Sequence, residues 1–289
     1  MEELSRHYIS QIETQTKGKY RITVAEIKPS LIFKSTVTKL QIYEKDGEKD
    51  NLIVNLPEVK VGVSYLPLIA GNIKASFIAL SGKGKIDGDL SLSDSEQKID
   101  VTLKDFNLEN LPYLALMAKV PLKGIISGTI DVDYNDAEVS KSNGVIDLKL
   151  SQFVIPQSHL TPMSGIDLDL PETILSDAAG GKIKIKMKSG KIDVQDFSLP
   201  GPDIVLALKG NVAVNKKINF SKLNITGTFN ISDKIKEALP FVIIIDNQKN
   251  EQGTYPISIA GRLTKPQIQI GTFDLTALTG GLPAAGSEQ

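Results

Sequence analysis

The feature that most constrains this chain is an alternation of period two, in which Ile, Leu or Val takes every second place and glycine closes the run. Gly181-Lys182-Ile183-Lys184-Ile185-Lys186-Met187-Lys188 is its clearest instance. It returns at Lys85 to Leu92, Gly128 to Tyr134, Gly144 to Phe153, Asp203 to Val214 and Tyr255 to Leu263. Successive side chains of an extended strand point to opposite faces, so each run has one apolar and one wet face. A helix would need apolar residues three and four apart, which these runs lack. The pattern predicts about fourteen strands between Tyr20 and Ile270, few separated by enough chain for a βαβ crossover. The fold class expected is therefore all-β and antiparallel, with a few short helices.

Helical signals are confined to short stretches. Glu2 to Thr16 places Leu4, Tyr8, Ile9 and Ile12 on one face, with Gly18 as its stop. Asn107 to Lys119 reads as a helix with Pro112 in its first turn. Ser232 to Leu239 reads as a helix capped by Ser232 and halted by Pro240. Ser64 to Ala70 and Glu172 to Ala178 are each expected to form a turn of helix. The domain reading is an N-terminal amphipathic helix over 1–17, one elongated β domain over 18–275 and a loose tail over 276–289. A division of the β domain into halves is read near 136–143.

Composition narrows the chemistry. The 289 residues include no Cys, no Trp and two His. Disulfide frameworks, thiolate nucleophiles and Cys-bearing metal sites are excluded. A formal net charge of −1 argues against a dedicated nucleic-acid binder. No apolar run reaches the length of a membrane span: Leu111 to Ile126 is broken by Lys119, Lys123 and prolines. Met1-Glu2-Glu3 is acidic where a signal peptide would be basic.

The remaining motifs favour plain readings. Asp87/Asp89, Asp131/Asp133 and Asp167/Asp169 could each present two carboxylates from one strand face, but no calcium-loop spacing surrounds them. The Lys182, Lys184, Lys186, Lys188 ladder reads as a solvated face, with acidic lipid headgroups as the functional alternative. Gly82 to Gly88 misses the G-x-G-x-x-G spacing and leads into a strand. His159 reads as a loop histidine and His7 as a surface residue. No catalytic, cofactor or metal site is expected. What is left is apolar surface. Ile183, Ile185 and Met187, with Ile192, Val194, Ile204, Leu206 and Leu208, are the candidate lining of an apolar groove able to hold acyl chains. Periodicity does not distinguish such a groove from a filled core.

Four stretches taken together resemble the type II secretion system protein N family, within the AsmA-like group. They are Leu108 to Leu114 leading into Pro121 to Ile130, Ser142 to Leu148 with Phe153 to Pro156, Ser189 to Gly210, and Tyr255 to Pro266 with its G-x-L-x-x-P ending. The resemblance implies a long, strongly curved sheet with an apolar concave face. It also implies a periplasmic protein tethered to the inner membrane by an anchor that this chain lacks, with other type II secretion proteins and phospholipid as partners. Two other readings stand beside it: an AsmA-like phospholipid carrier unrelated to secretion, and a carbohydrate-active or hydrolytic β protein. The lack of Trp counts against the last, because sugar sites stack on aromatic rings.

Overall fold

The computed structural model describes residues 18–29, 34–47, 49–63, 72–93, 95–163, 166–239 and 242–275, with Ser10, Glu13, Thr14 and Thr16 as isolated positions. The expected helix over 2–16, the turn over 64–70 and the tail after 276 lie wholly or largely outside these residues. Among the described residues nineteen strands are formed, seventeen of them joined in one antiparallel sheet. The chain divides into two compact units, Met1–Thr129 and Ile130–Gln289.

The first unit holds β1 (Tyr20–Thr23), β2 (Glu26–Pro29), β3 (Lys34–Asp46), β4 (Lys49–Val63), β5 (Ile73–Ser81), β6 (Gly84–Leu92) and β7 (Glu96–Asn107). β1 and β2 both pair with β3, and each later strand pairs with the next as a meander. Register brings Ile27, Val37, Val59, Ala79, Ile86 and Leu103 into one row across six strands. All six are buried, none more than 8% exposed. Where the next row would have a gap at Gly88, the Phe77 ring fills it: a Cβ on Gly88 would lie 2.8 Å from the ring.

Strict alternation would put Leu103 and Phe106 on opposite faces, yet both are buried. Asp105 stands between them with φ at 46°. One residue in the left-handed region inserts a bulge and resets which face the strand presents. Lys39, with φ at 50°, interrupts β3 opposite Pro57 without shifting the register, since Thr38 pairs with Glu58 and Leu40 with Leu56; there Leu56 and Val59 are both buried three residues apart.

The helix expected over Asn107 to Lys119 is shorter: a 3-10 turn (Leu108–Asn110) leads into α1 (Pro112–Ala118), with Pro112 at its first position. β8 (Lys123–Asn135) follows and runs from residues of the first unit into those of the second.

The second unit continues with β9 (Asn143–Ile155), β10 (Ser158–Met163), β11 (Ile166–Leu170), β12 (Thr173–Ser176), β13 (Gly181–Lys188), β14 (Lys191–Pro200), β15 (Ile204–Ala213) and β16 (Lys222–Ile231). Then come α2 (Asp233–Ala238) and α3 (Val242–Ile245), followed by β17 (Tyr255–Arg262), β18 (Lys265–Ile270) and β19 (Phe273–Asp274). β13 pairs with β9, and from β13 to β19 each strand pairs with the next.

Two local expectations are corrected here. Residues 173–176 are the strand β12, paired with β9, rather than a turn of helix: Thr173, Leu175 and Ser176 are buried and the Ser176 hydroxyl donates to the Leu150 carbonyl at 2.6 Å. His159 lies on β10 rather than in a loop, because Pro162 is accommodated in the bulge between Leu160 and Met163.

Candidate functional site

The eight apolar residues singled out from the sequence share one face of the second unit. Its registers align them in cross-strand rows. One row runs Ile146, Ile185, Val194, Gly210, Ile225, Ile259, Ile268 from β9 to β18. The next runs Leu148, Ile183, Phe197, Leu208, Gly227, Ile257, Ile270. A third, on the other side of the first, runs Gly144, Met187, Ile192, Val212, Leu223, Gly261, Pro266. Beyond these, Leu206 pairs with Phe229 and Ile204 with Ile231. The three full rows carry no polar side chain. At about 4.8 Å between strands and 6.8 Å between rows, they cover roughly 29 by 14 Å.

These rows are only half covered. Leu148, Val194 and Ile270 are buried, while the other side chains keep an intermediate exposure. The opposite face is wet, as the Lys182 to Lys188 ladder shows with every lysine exposed.

Glycine shapes the face where β15 and β16 approach closely. A Cβ on Gly227 would stand 1.9 Å from the Ala207 carbonyl, and one on Gly210 would stand 2.2 Å from that of Asn224. No side chain fits at either place, so the rows dip there without breaking their apolar character.

One end of the face is closed. The segment between β16 and β17 folds Val242 and Ile245 onto Tyr255 and Ile270, with Phe229, Ile231 and Leu239 packed around them. Phe229 and Tyr255 stack at 5.0 Å between centroids. The Tyr255 hydroxyl donates to Asp246 Oδ1 at 2.6 Å, and burial followed by the Asp246 carboxylate pushes its pKa up. The Tyr255 hydrogen bond and Lys249 hold Asp246 below the usual carboxylate range.

A buried acid fastens this end. Asp203 accepts from the Ile174 N–H at 2.8 Å, from the Ser232 hydroxyl at 3.2 Å and from Lys234 Nζ at 3.1 Å. Burial pushes its carboxyl up, and the Ile174, Lys234 and Ser232 donors outweigh that and hold it below its ordinary range. Ser232 occupies the N-cap place of α2, but its side chain makes no capping bond to the helix. It turns to the carboxylate, the stronger acceptor.

In the first unit, a cleft of about 530 Å³ lies between β1, β3 and β4 and the chain around α1. Tyr20, Ile22, Ile42, Val54, Tyr113 and Leu114 line it, and the Lys19–Glu44 ion pair at 3.1 Å stands at its side. The size is that of a small-ligand pocket. The sequence reading missed it, since its walls come from segments ninety residues apart with no shared motif.

The aspartate pairs do not gather. Lys85 holds Asp87 at 2.6 Å, and Asp169 Oδ1 lies 2.9 Å from His159 Nδ1 on an exposed hairpin. Among the described residues no group of three or more His, Asp or Glu is placed to hold a metal ion. No helix among them is long and apolar enough to cross a membrane. The chain matches no family model, no curated protein and no solved structure.

Proposed function

We propose that this chain is a non-enzymatic periplasmic component of the type II secretion system, working through protein contacts and through phospholipid acyl chains held on the apolar face of its second unit. One observation carries the lipid part: three rows spanning seven strands present only Ile, Leu, Val, Met, Phe, Pro and Gly and stay half exposed. A soluble surface rarely leaves so large an apolar patch without a binding role. Half the hydrocarbon thickness of a bilayer is about 15 Å, so the face is long enough to take a whole acyl chain. Each methylene it shelters from water contributes about 0.8 kcal/mol.

The secretion setting rests on the four sequence stretches from Leu108 to Pro266, and so does the inner-membrane tether. The same rows favour a second reading, a phospholipid carrier of the AsmA-like group with no part in secretion. Nothing in the rows favours hydrolysis, which needs a nucleophile or acid beside the substrate.

Native mass spectrometry after mild purification tests the lipid part. Bound phospholipid is expected on the wild type and lost in Ile225→Asp; a ligand-free wild type that also takes up no added phospholipid would sink it. A deletion strain separates the two settings: accumulation of folded exoproteins in the periplasm supports the secretion role, whereas normal export with altered outer-membrane lipid supports the carrier.

A further inference from the structure

We propose that the turn end of the second unit, away from the Tyr255 cluster, is a docking surface for an anionic phospholipid membrane. The register places Lys188, Lys191, Ala213, Lys222, Arg262 and Lys265 in one row across six strands, on the wet face. Three directly opposed pairs in it are cation against cation: Lys188 with Lys191, Lys222 with Arg262, and Arg262 with Lys265. Like charges placed opposite one another destabilise a sheet. Among the described residues none of the five cations forms an ion pair.

Elsewhere on this face acids offset the middle of the β13 ladder, although Lys182 at its far end stands opposite Lys149. Lys184 bonds Asp147 at 3.2 Å and pairs in register with Asp196, and Lys186 pairs with Asp193. The ladder along β13 is therefore balanced by acids at Lys184 and Lys186, and only its end at Lys188 joins the cationic row. That row crosses the strands at their turns, and only register reveals it.

Apolar side chains project from the same end. Ile218 is 53%, Phe220 47% and Leu263 44% exposed. They sit on the β15–β16 and β17–β18 connections, which the Leu263 N–H joins by donating to the Ser221 carbonyl at 2.9 Å. Lys216 and Lys217 directly precede them, and Arg262 lies 5.4 Å from the Phe220 ring. Cations ringing protruding large apolar residues are what an anionic lipid interface takes up: headgroups meet the charges while the apolar tips enter the acyl boundary. The opposite end carries Lys149 and Lys182 beside Lys234, Lys236 and Lys249, but there Asp177, Asp203, Asp233, Glu237, Asp246 and Glu251 outnumber them. Only one end of the unit suits an anionic membrane.

The docking deepens the lipid-binding reading and rests on it for the fate of the acyl chain. Met187, Ile192, Val212, Leu223, Gly261 and Pro266 each adjoin a residue of the cationic row in sequence but face the apolar side. A lipid whose headgroup meets the cations thus finds the first apolar row one residue away.

The chain has no Trp, so Phe220→Trp supplies a single indole reporter at the tip. Full-length Phe220→Trp is mixed with phosphatidylcholine vesicles, with and without phosphatidylglycerol, and followed by indole emission and co-sedimentation. Binding and a blue shift are expected only with phosphatidylglycerol, weakening with salt. Each unit of charge removed is expected to lower partition about fivefold. Lys188→Glu/Lys222→Glu in that background should therefore bind at least tenfold more weakly, while melting no lower than its parent, since each new Glu faces a cation. Equal binding to neutral vesicles, an unshifted emission, or undiminished binding by the charge-reversed variant would overturn the proposal. So would retention on heparin without vesicle binding, the mark of a general polyanion site. Uptake of a soluble short-chain phospholipid is measured in parallel; if it persists while vesicle binding is absent, the docking falls and the lipid-binding reading stands.

Discussion

The two units are built from the same period-two strands, and they use their apolar faces differently. In the first, the row from Ile27 to Leu103 crosses six strands and every member is buried. In the second, three rows cross seven strands and most members are half exposed. Alternation fixes that a strand will have an apolar face, and what lies against that face is decided elsewhere in the chain. The first row is core, although Val61, Phe77 and Val101 beside it keep an intermediate exposure; the three rows of the second unit are the ones proposed to meet a ligand.

A charge placed on each face should separate these roles most sharply. Val59 is 2% exposed, so Val59→Asp buries an unpaired carboxylate and is expected to cost about 4 kcal/mol in chemical denaturation. Ile225→Asp, on the half-exposed face, should cost about 1 kcal/mol and still lose its lipid. Equal losses of stability would erase the contrast between the units.

Next in size is Gly227→Ala. Its new methyl would press on the Ala207 carbonyl, with backbone rather than a flexible side chain in the way, so about 3 kcal/mol of destabilisation is expected by thermal melting. The same substitution at Gly82, whose Cβ would meet nothing within 4 Å, would suffer only its positive φ.

Asp203→Asn should cost about 2 kcal/mol by removing charge-assisted bonds to the Ile174 N–H, Ser232 and Lys234. Because the folded carboxyl is held below its unfolded value, the stability it supplies is whole above the ordinary aspartate range and is lost as pH falls through the lowered value. The variant should flatten the acid limb of the stability profile below about pH 4, and an unchanged limb would assign the acid sensitivity to other groups. Smallest is Lys39→Gly, which relieves a left-handed backbone at φ 50° and should change stability by about 0.5 kcal/mol in the favourable direction.

Much of the strand content was legible because long alternating runs such as β13 and β15 advertise their faces residue by residue. Those runs also identified the shared face of Ile183, Leu206 and their neighbours. Four-residue strands were not legible: β12 is Thr-Ile-Leu-Ser between Glu172 and Asp177, too short to show a period. Nor were the left-handed strand positions, since nothing about Lys39 or Asp105 in sequence marks a positive φ. The cationic row was hidden for a different reason. Its five charges come from three connections spread between Lys188 and Lys265, and only pairing brings them into line. The degree of cover over an apolar face has no local signature at all, because a buried row and an open one obey the same alternation.

The central claim is that the apolar face of the second unit holds acyl chains and the buried row of the first does not. A phospholipid with a photoreactive group near the end of its acyl chain tests this directly when mixed with the purified full-length chain, irradiated and mapped by peptide mass spectrometry. Cross-links are expected on residues of the Ile146 to Ile268 and Leu148 to Ile270 rows, with none on Val59, Ala79 or Ile86. Labelling confined to the first unit, or spread evenly over both, would contradict the account.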